Sequence, residues 1–205
     1  MATYAKLDKR VQTIGYIVKY WAKRRQINEP YSGSLSSYAY LLMVINYLQT
    51  RNPPVLPCLQ QIYDTEQRNP ILIDDFDCYF YTEFEQLTYY GQNNTETVGQ
   101  LLIGFYKYYA CEFDWDNSVV SIRVGRHLTK VEKQWNEKDP ENRDNFLIAI
   151  EDPFELSHNL GRLVDLENLD IIKYEFQRAY KLLCTNESLI TICKRYKQSE
   201  IKITI

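Results

Sequence analysis

The sequence predicts a mostly helical α+β domain, a helical bundle carrying a small two- or three-stranded sheet. Three observations predict it. Apolar residues recur at three- and four-residue steps in three separate stretches, and a fourth stretch is apolar nearly all round, which is how amphipathic and buried helices read. Two shorter runs, Val119–Val124 and Phe146–Ile150, are β-rich instead. The 205 residues are 45% hydrophobic and 25% charged, with only seven Gly and seven Pro. That is ample material for one core and too few breakers for a linker-rich or disordered chain. One domain follows.

Leu7, Val11, Ile14, Val18 and Trp21 predict a first helix that ends near Arg25. Lys19 and Lys23 stand four apart on the flank of that stripe, with Arg24 and Arg25 beyond them near the negative end of the helix dipole. They form either a solvated basic turn or a pair of ammonium groups aimed at a triphosphate, where Lys serves as a point charge. Glu29-Pro30-Tyr31-Ser32-Gly33 is a loop, after which Ser34, Ser36 or Ser37 caps a second helix from about Ser36 to Gln49. That helix is the one apolar nearly all round, so it belongs at the buried centre. Its N-terminus, with free N–H groups, serine hydroxyls and Tyr38 in the first turn, is a ready anion site with a stacking platform beside it. Asn52-Pro53-Pro54 stops the helix. From Val55 to Gln92 the signals are mixed. Asn94 or Thr95 then caps a third helix, Val98 to about Glu112. The Val119–Val124 strand ends at Gly125, a basic cluster of Arg126, His127, Lys130 and Lys133 follows, and Trp135 closes it. Residues 136–145 read as a charged loop, and Phe146–Ile150 as a second strand pairing with the first. A last helix runs from about Leu166 to Leu183. The tail alternates Ile201, Ile203 and Ile205, either an edge strand or a frayed end.

A formal charge of −3 argues against a protein that binds nucleic acid over its whole surface, and leaves room for a local basic patch. Five cysteines, odd in number and without a CxxC, read as reduced, buried thiols in a cytoplasmic or nuclear protein and as neither a disulfide framework nor a zinc site. No run approaches the roughly 18 apolar residues of a membrane span. Eighteen Tyr against eight Phe suit half-buried surfaces and interfaces. Asp75-Phe76-Asp77 and Asp114-Trp115-Asp116 have the spacing of a magnesium chelate, but neither follows a Gly-Ser phosphate loop. In Ile148–Arg162 an apolar run ends in acids and a proline, then meets His158. Asp152, Glu155 and His158 stand three apart and share a face in a helix or a tight turn. They make either an ordinary turn or the rim of a small-molecule pocket.

Val18–Arg25, Gly33–Tyr38, Leu42–Ile45, Pro54–Pro57, Leu101–Ala110, Ser121–Gly125 and Ile150–Arg162, in that order and spacing, resemble the central, poly(A)-polymerase-associated domain of terminal RNA nucleotidyltransferases. These are the terminal uridylyltransferases and noncanonical poly(A) polymerases, and the resemblance spans about residues 5 to 183. It implies a nucleotide-recognition half-site. Lys19, Lys23 and Ser37 would hold the β- and γ-phosphates, Tyr38 would stack on the base, and Asp152 and Glu155 would bind the base edge. His158 would sit beside the base as in the uridylyltransferases, favouring UTP over ATP. Arg126, Lys130, Lys133 and Arg162 are weaker candidates for contacts to RNA, which would make RNA binding salt-sensitive. UTP is the implied substrate and an RNA 3′ end the implied partner. Mg2+ would act only in the complete enzyme, because the family's catalytic domain, with its Gly-Ser motif and three aspartates, is expected outside residues 1–205. The family's ribose-binding asparagine likewise falls before the first aligned helix. The expectation is one central domain, not catalytic alone. Its rivals are ATP preference, as in a poly(A) polymerase, and a degenerate, non-catalytic RNA-processing scaffold.

Overall fold

The computed structural model describes residues 2–62, 70–136 and 146–196. The expected alternation of Ile201, Ile203 and Ile205, and nearly all of the charged 136–145 loop, lie outside them.

The first predicted helix is two, α1 (Ala2–Leu7) and α2 (Lys9–Arg24). The break falls at Asp8, whose carboxylate accepts the Arg10 N–H at 2.8 Å and so caps α2, a short acceptor meeting an orphan helix donor. Val11, Ile14, Val18 and Trp21 are buried as their period predicts. Ser36 caps α3 (Ser37–Gln49) by accepting the Ala39 N–H at 3.1 Å, and every residue from Leu42 to Leu48 is buried. The two helices pack closely at Gly15, where a Cβ would lie 2.9 Å from Leu41 Cδ2.

The mixed region contributes a hairpin, β1 (Leu72–Ile73) paired antiparallel with β2 (Phe76–Asp77). Its turn residues Asp74 and Asp75 have φ of 48° and 66°, a conformation short acidic side chains tolerate. The third helix, α4 (Val98–Lys107), is capped by Thr97 in a capping box with Gln100, one turn after the expected Asn94. Asn94 is occupied elsewhere, its amide donating to Pro53 O and Glu96. A π-turn, Tyr108–Glu112, carries the helix to its expected end. Asp165 caps α5 (Leu166–Cys184), and a short α6 (Leu189–Ile192) follows. All five cysteines are free, but only Cys193 is buried and Cys111 and Cys184 are exposed, against the expectation of buried thiols; no helix among the described residues is long and apolar enough to cross a membrane.

An aromatic core joins these helices. Trp21 packs 5.0 Å from Tyr106 and 5.1 Å from Phe176, and Tyr109 lies 5.3 Å from Phe176. Such edge-to-face and tilted contacts add to area burial. Several tyrosines are therefore core rather than rim: Tyr40, Tyr47, Tyr106 and Tyr109 are fully buried. Arg25 also departs from expectation. It is buried instead of lying on a solvated basic turn, and its Nε and Nη2 donate to the two oxygens of Glu175 on α5 at 2.8 Å each.

The strands are shorter than predicted. β3 (Ser118–Val119) pairs antiparallel with β4 (Leu128–Thr129). The Phe146–Ile150 run meets the first strand only through a parallel bridge, Val120 to Ile150, with Val120 N donating to Ala149 O and Glu151 N to Val120 O at 2.9 Å each. The next carbonyls are taken by polar side chains of α3: Asn46 Nδ2 donates to Ser121 O at 2.8 Å and Gln49 Nε2 to Ile122 O at 3.0 Å.

Glu175→Ala would leave the Arg25 guanidinium buried without its carboxylate, which costs about 3–5 kcal/mol. Denaturant unfolding should register that loss; a change under about 1 kcal/mol would show that solvent or another group replaces the pair.

Candidate nucleotide site

The end of α2 and the start of α3 are held together by one carbonyl. Ile27 O accepts Ser34 Oγ at 2.6 Å and Tyr40 OH at 2.8 Å. This brings the last turn of α2, which carries Lys23, beside the first turn of α3, which carries Ser37 and Tyr38. Lys19 and Lys23 are both exposed, one helical turn apart. The Ser37 hydroxyl is hydrogen-bonded to the Asn28 side chain, with Asn28 Nδ2 donating at 3.0 Å. Asn28 was not singled out by sequence reasoning; nothing in its own neighbourhood marks it, since its partner lies across the loop.

Residues 152–158 form a tight turn and not a helix. Asp152 Oδ1 accepts the N–H groups of Phe154 at 2.9 Å and Glu155 at 3.0 Å. The Asp152 N–H donates to His158 O at 3.1 Å, and the His158 N–H to Glu155 O at 2.9 Å. His158 Nδ1 stands 3.4 Å from Glu155 Oε2. Asp152, Glu155 and His158 therefore belong to one small, internally hydrogen-bonded unit. The turn is anchored behind by Asn159, which is buried. Its Oδ1 accepts Ile150 N–H and Gly161 N–H at 2.9 Å each, while its Nδ2 donates to Ile148 O at 2.9 Å. A Cβ at position 161 would collide with the Ile148 carbonyl, so the backbone can pass there only as glycine.

The structure brings Tyr38 and this turn together. The Tyr38 hydroxyl is pushed up to about 12, first by burial and then by the negative charge of Asp152. A cavity of about 60 Å3 between α3 and the turn is lined by Tyr4, Tyr38, Phe80, Pro153 and Phe154 among others. The Phe80 and Phe154 rings lie 6.4 Å apart. Phe154, also unmarked by the sequence reading, thus seats the turn against the platform that Tyr38 provides.

The basic residues downstream divide. Lys130 is buried, with Nζ donating to Trp115 O at 2.8 Å and Leu147 O at 3.4 Å. Lys133 Nζ donates to Glu151 Oε1 at 2.7 Å and Leu156 O at 2.6 Å. Both, weaker candidates for RNA contacts by sequence, thus donate to acceptors inside the protein. Arg126 and Arg162 are exposed, and Arg126 is paired with Glu132 at 2.8 Å. Arg126 and His127 line a separate cavity of about 530 Å3 with Arg51, Cys58 and Tyr90, at the opposite end of α3 from Tyr38.

One carboxylate of each Asp-x-Asp pair is engaged in a local turn. Asp77 Oδ1 accepts Tyr79 N–H at 3.1 Å and Ile71 N–H at 3.3 Å. Asp114 accepts Asn117 Nδ2 at 2.8 Å, Asp116 N–H at 3.0 Å and Asn117 N–H at 3.1 Å. Those bonds, led by the Asn117 side chain, hold the Asp114 carboxyl below its ordinary range. These are turn-forming carboxylates. Among the described residues no three His, Cys, Asp or Glu converge as metal ligands.

Known proteins share this arrangement. Residues 97–158 match the family described as Cid1 family poly A polymerase. The chain is 43% identical over 188 residues to human terminal uridylyltransferase 4, covering 90% of the chain and 11% of that protein. It is 40% identical over 192 residues to terminal uridylyltransferase cid1 of Schizosaccharomyces pombe, covering 89% and 46%. Poly(A) RNA polymerase cid11 of the same yeast is 35% identical over 202 residues, covering 97% and 39%. The structure of a cytoplasmic RNA terminal U-transferase superposes with a TM-score of 0.84 at 38% identity, over 95% of the chain and 61% of that structure. Cid1 in complex with the UTP analogue UMPNPP gives 0.83 at 38% identity, over 95% and 59%. A histidine-to-asparagine mutant of Cid1 bound to MgATP, from work on the mechanism for UTP selectivity, gives 0.83 at 37%, over 95% and 58%. The chain spans less than half the length of the curated relatives it matches. Its sequence, fold and superposition show that it belongs to the Cid1 family, carrying the PAP-associated domain that terminal uridylyltransferases and noncanonical poly(A) polymerases share.

Proposed function

We propose that this chain is the nucleotide-recognition half of an RNA 3′-terminal uridylyltransferase, selecting UTP for addition of UMP to RNA 3′ ends. The observation that carries the reading is that Tyr38, in the first turn of α3, and the turn after Asp152 line one cavity through Tyr38, Pro153 and Phe154, with the Asp152 charge acting on the Tyr38 hydroxyl. An aromatic ring offers any base a stacking surface. Carboxylates accept hydrogen bonds only, so Asp152 and Glu155 suit the N3–H edge of uracil. The exposed ammonium groups of Lys19 and Lys23 supply the charge that a triphosphate requires. His158 closes the base side, where it contacts a pyrimidine and obstructs the larger purine. The UTP-analogue complex of Cid1, and the study of UTP selectivity through a histidine mutant of that protein, support the same assignment. In this reading the two-metal chemistry, Mg2+ included, belongs to a nucleotidyltransferase domain beyond residues 1–205, and this chain orients the nucleotide for it.

A second reading, ATP selection, is favoured by the 35% identity to poly(A) RNA polymerase cid11. An adenine amino group would also satisfy the carboxylates. His158 separates the two.

His158→Asn should lower the preference for UTP over ATP by about tenfold or more, since a group that both binds one base and obstructs the other is removed. Competition of the two nucleotides in the intact protein measures it, and an unchanged ratio overturns the assignment of base selection to His158. Replacing Lys19 and Lys23 with Ala should instead weaken UTP and ATP equally, because phosphates carry no base identity. The Tyr38–Asp152 approach has its own test by NMR titration of the tyrosine rings. Tyr38 should ionise near 12, and Asp152→Asn should bring that value down while burial keeps it above the ordinary 10.0. The sign for stability follows. Between pH 10 and 12 the unfolded chain has released this proton and the folded one has not, so the Tyr38 contribution favours unfolding as pH rises through that window.

A further inference from the structure

Glu151, immediately before Asp152, is buried. Its Oε2 accepts the Ser121 hydroxyl at 2.5 Å and its Oε1 accepts Lys133 Nζ at 2.7 Å. The same ammonium donates to Leu156 O at 2.6 Å and lies 4.7 Å from the centre of the Trp135 ring. Carboxylate, carbonyl and aromatic face thus replace the water that a partly buried ammonium would otherwise need. Leu156 falls between Glu155 and His158, within the turn that meets the base. Lys133 therefore ties the far side of that turn to its root. Ser121 extends the link, since its carbonyl accepts Asn46 Nδ2 from α3 at 2.8 Å, and α3 is the helix that presents Tyr38. Turn and stacking platform are joined by one run of hydrogen bonds: Leu156, Lys133, Glu151, Ser121, Asn46.

We infer that Lys133 is a positioning residue for base selection: its ammonium fixes the Glu155–His158 segment over Tyr38, and so sets the discrimination between pyrimidine and purine. This rests on the reading of the site as a UTP-selecting one. Lys133 would touch neither base nor phosphate. Its effect comes through placement, and base recognition is sensitive to shifts well under an ångström.

The test compares wild type with Lys133→Met, which keeps the stem and removes the ammonium. UTP and ATP affinities are measured in the intact protein alongside amide hydrogen exchange. The expected result is a UTP-to-ATP ratio reduced about tenfold, as a misplaced recognition group produces. The His158 amide should exchange about tenfold faster while α3 and α5 keep their protection. Lys133→Arg, which retains a charged donor, should recover part of the ratio. A loss shared equally by both nucleotides, or a wild-type ratio in Lys133→Met, overturns the inference while leaving the site intact. A wild-type protein with no preference overturns the reading beneath it, and this is visible before any substitution. Should Lys133→Met fail to fold, Glu151→Gln keeps the shape of the network without its charge; an unchanged ratio there also overturns the inference.

Discussion

The enclosure of α3 is the constraint on which the rest of the structure depends. From Leu42 to Leu48 it has no solvated face, so other elements must cover it on every side. A fully enclosed helix must also find partners for whatever polar groups it carries. The amide N–H groups of Asn46 and Gln49 find them in the carbonyls of Ser121, Ile122 and Pro57, while Tyr47 OH and Gln49 Oε1 stay buried without a hydrogen-bond partner among the described residues. Asn46 and Gln49 tie α3 to the backbone that follows the first strand. The N-terminal end of the helix, capped by Ser36, emerges beside the 152–158 turn and carries Ser37 and Tyr38. The location of the site is thus a by-product of how the core is closed.

Around that end the chemistry is divided by solvation. Lys19 and Lys23, proposed to meet phosphate, are exposed and cost little to keep charged. The base-type groups sit on a turn whose backbone is already hydrogen-bonded to itself and to Asp152, so little ordering remains when a ligand arrives. Behind the turn lie buried polar groups, Glu151 and Asn159, each with its partners in place. A satisfied polar network of that kind is rigid, whereas a half-satisfied one would be a liability. The buried Arg25–Glu175 pair does the corresponding work on the other side of α2, fixing it to α5.

The helices were legible because burial imposes a period, and Val11 through Trp21 or Leu169 through Phe176 carry it plainly. The break at Asp8 was not, because a cap that splits one helix into two leaves the apolar period on both sides undisturbed. Charged residues were the least legible. Arg25 reads as surface until Glu175 is known to face it from 150 residues away, and Lys130 reads as a phosphate contact until the carbonyls of Trp115 and Leu147 enclose it. Local sequence carries no record of such partners. The turn at Asp152, Glu155 and His158 was visible as a spacing, and family resemblance supplied its roles. What joins it to Tyr38, a carboxylate against a half-buried phenol with Phe154 beneath, required the fold.

The most direct measurement is NMR mapping of UTP on this chain. Binding at the end of α3 moves the amide signals of Lys19, Lys23, Ser37 and Tyr38 together with those of Asp152 through His158, and leaves Arg51, Arg126 and His127 unmoved. Shifts confined to those last three, around the cavity at the far end of α3, would contradict the assignment of the nucleotide to this turn.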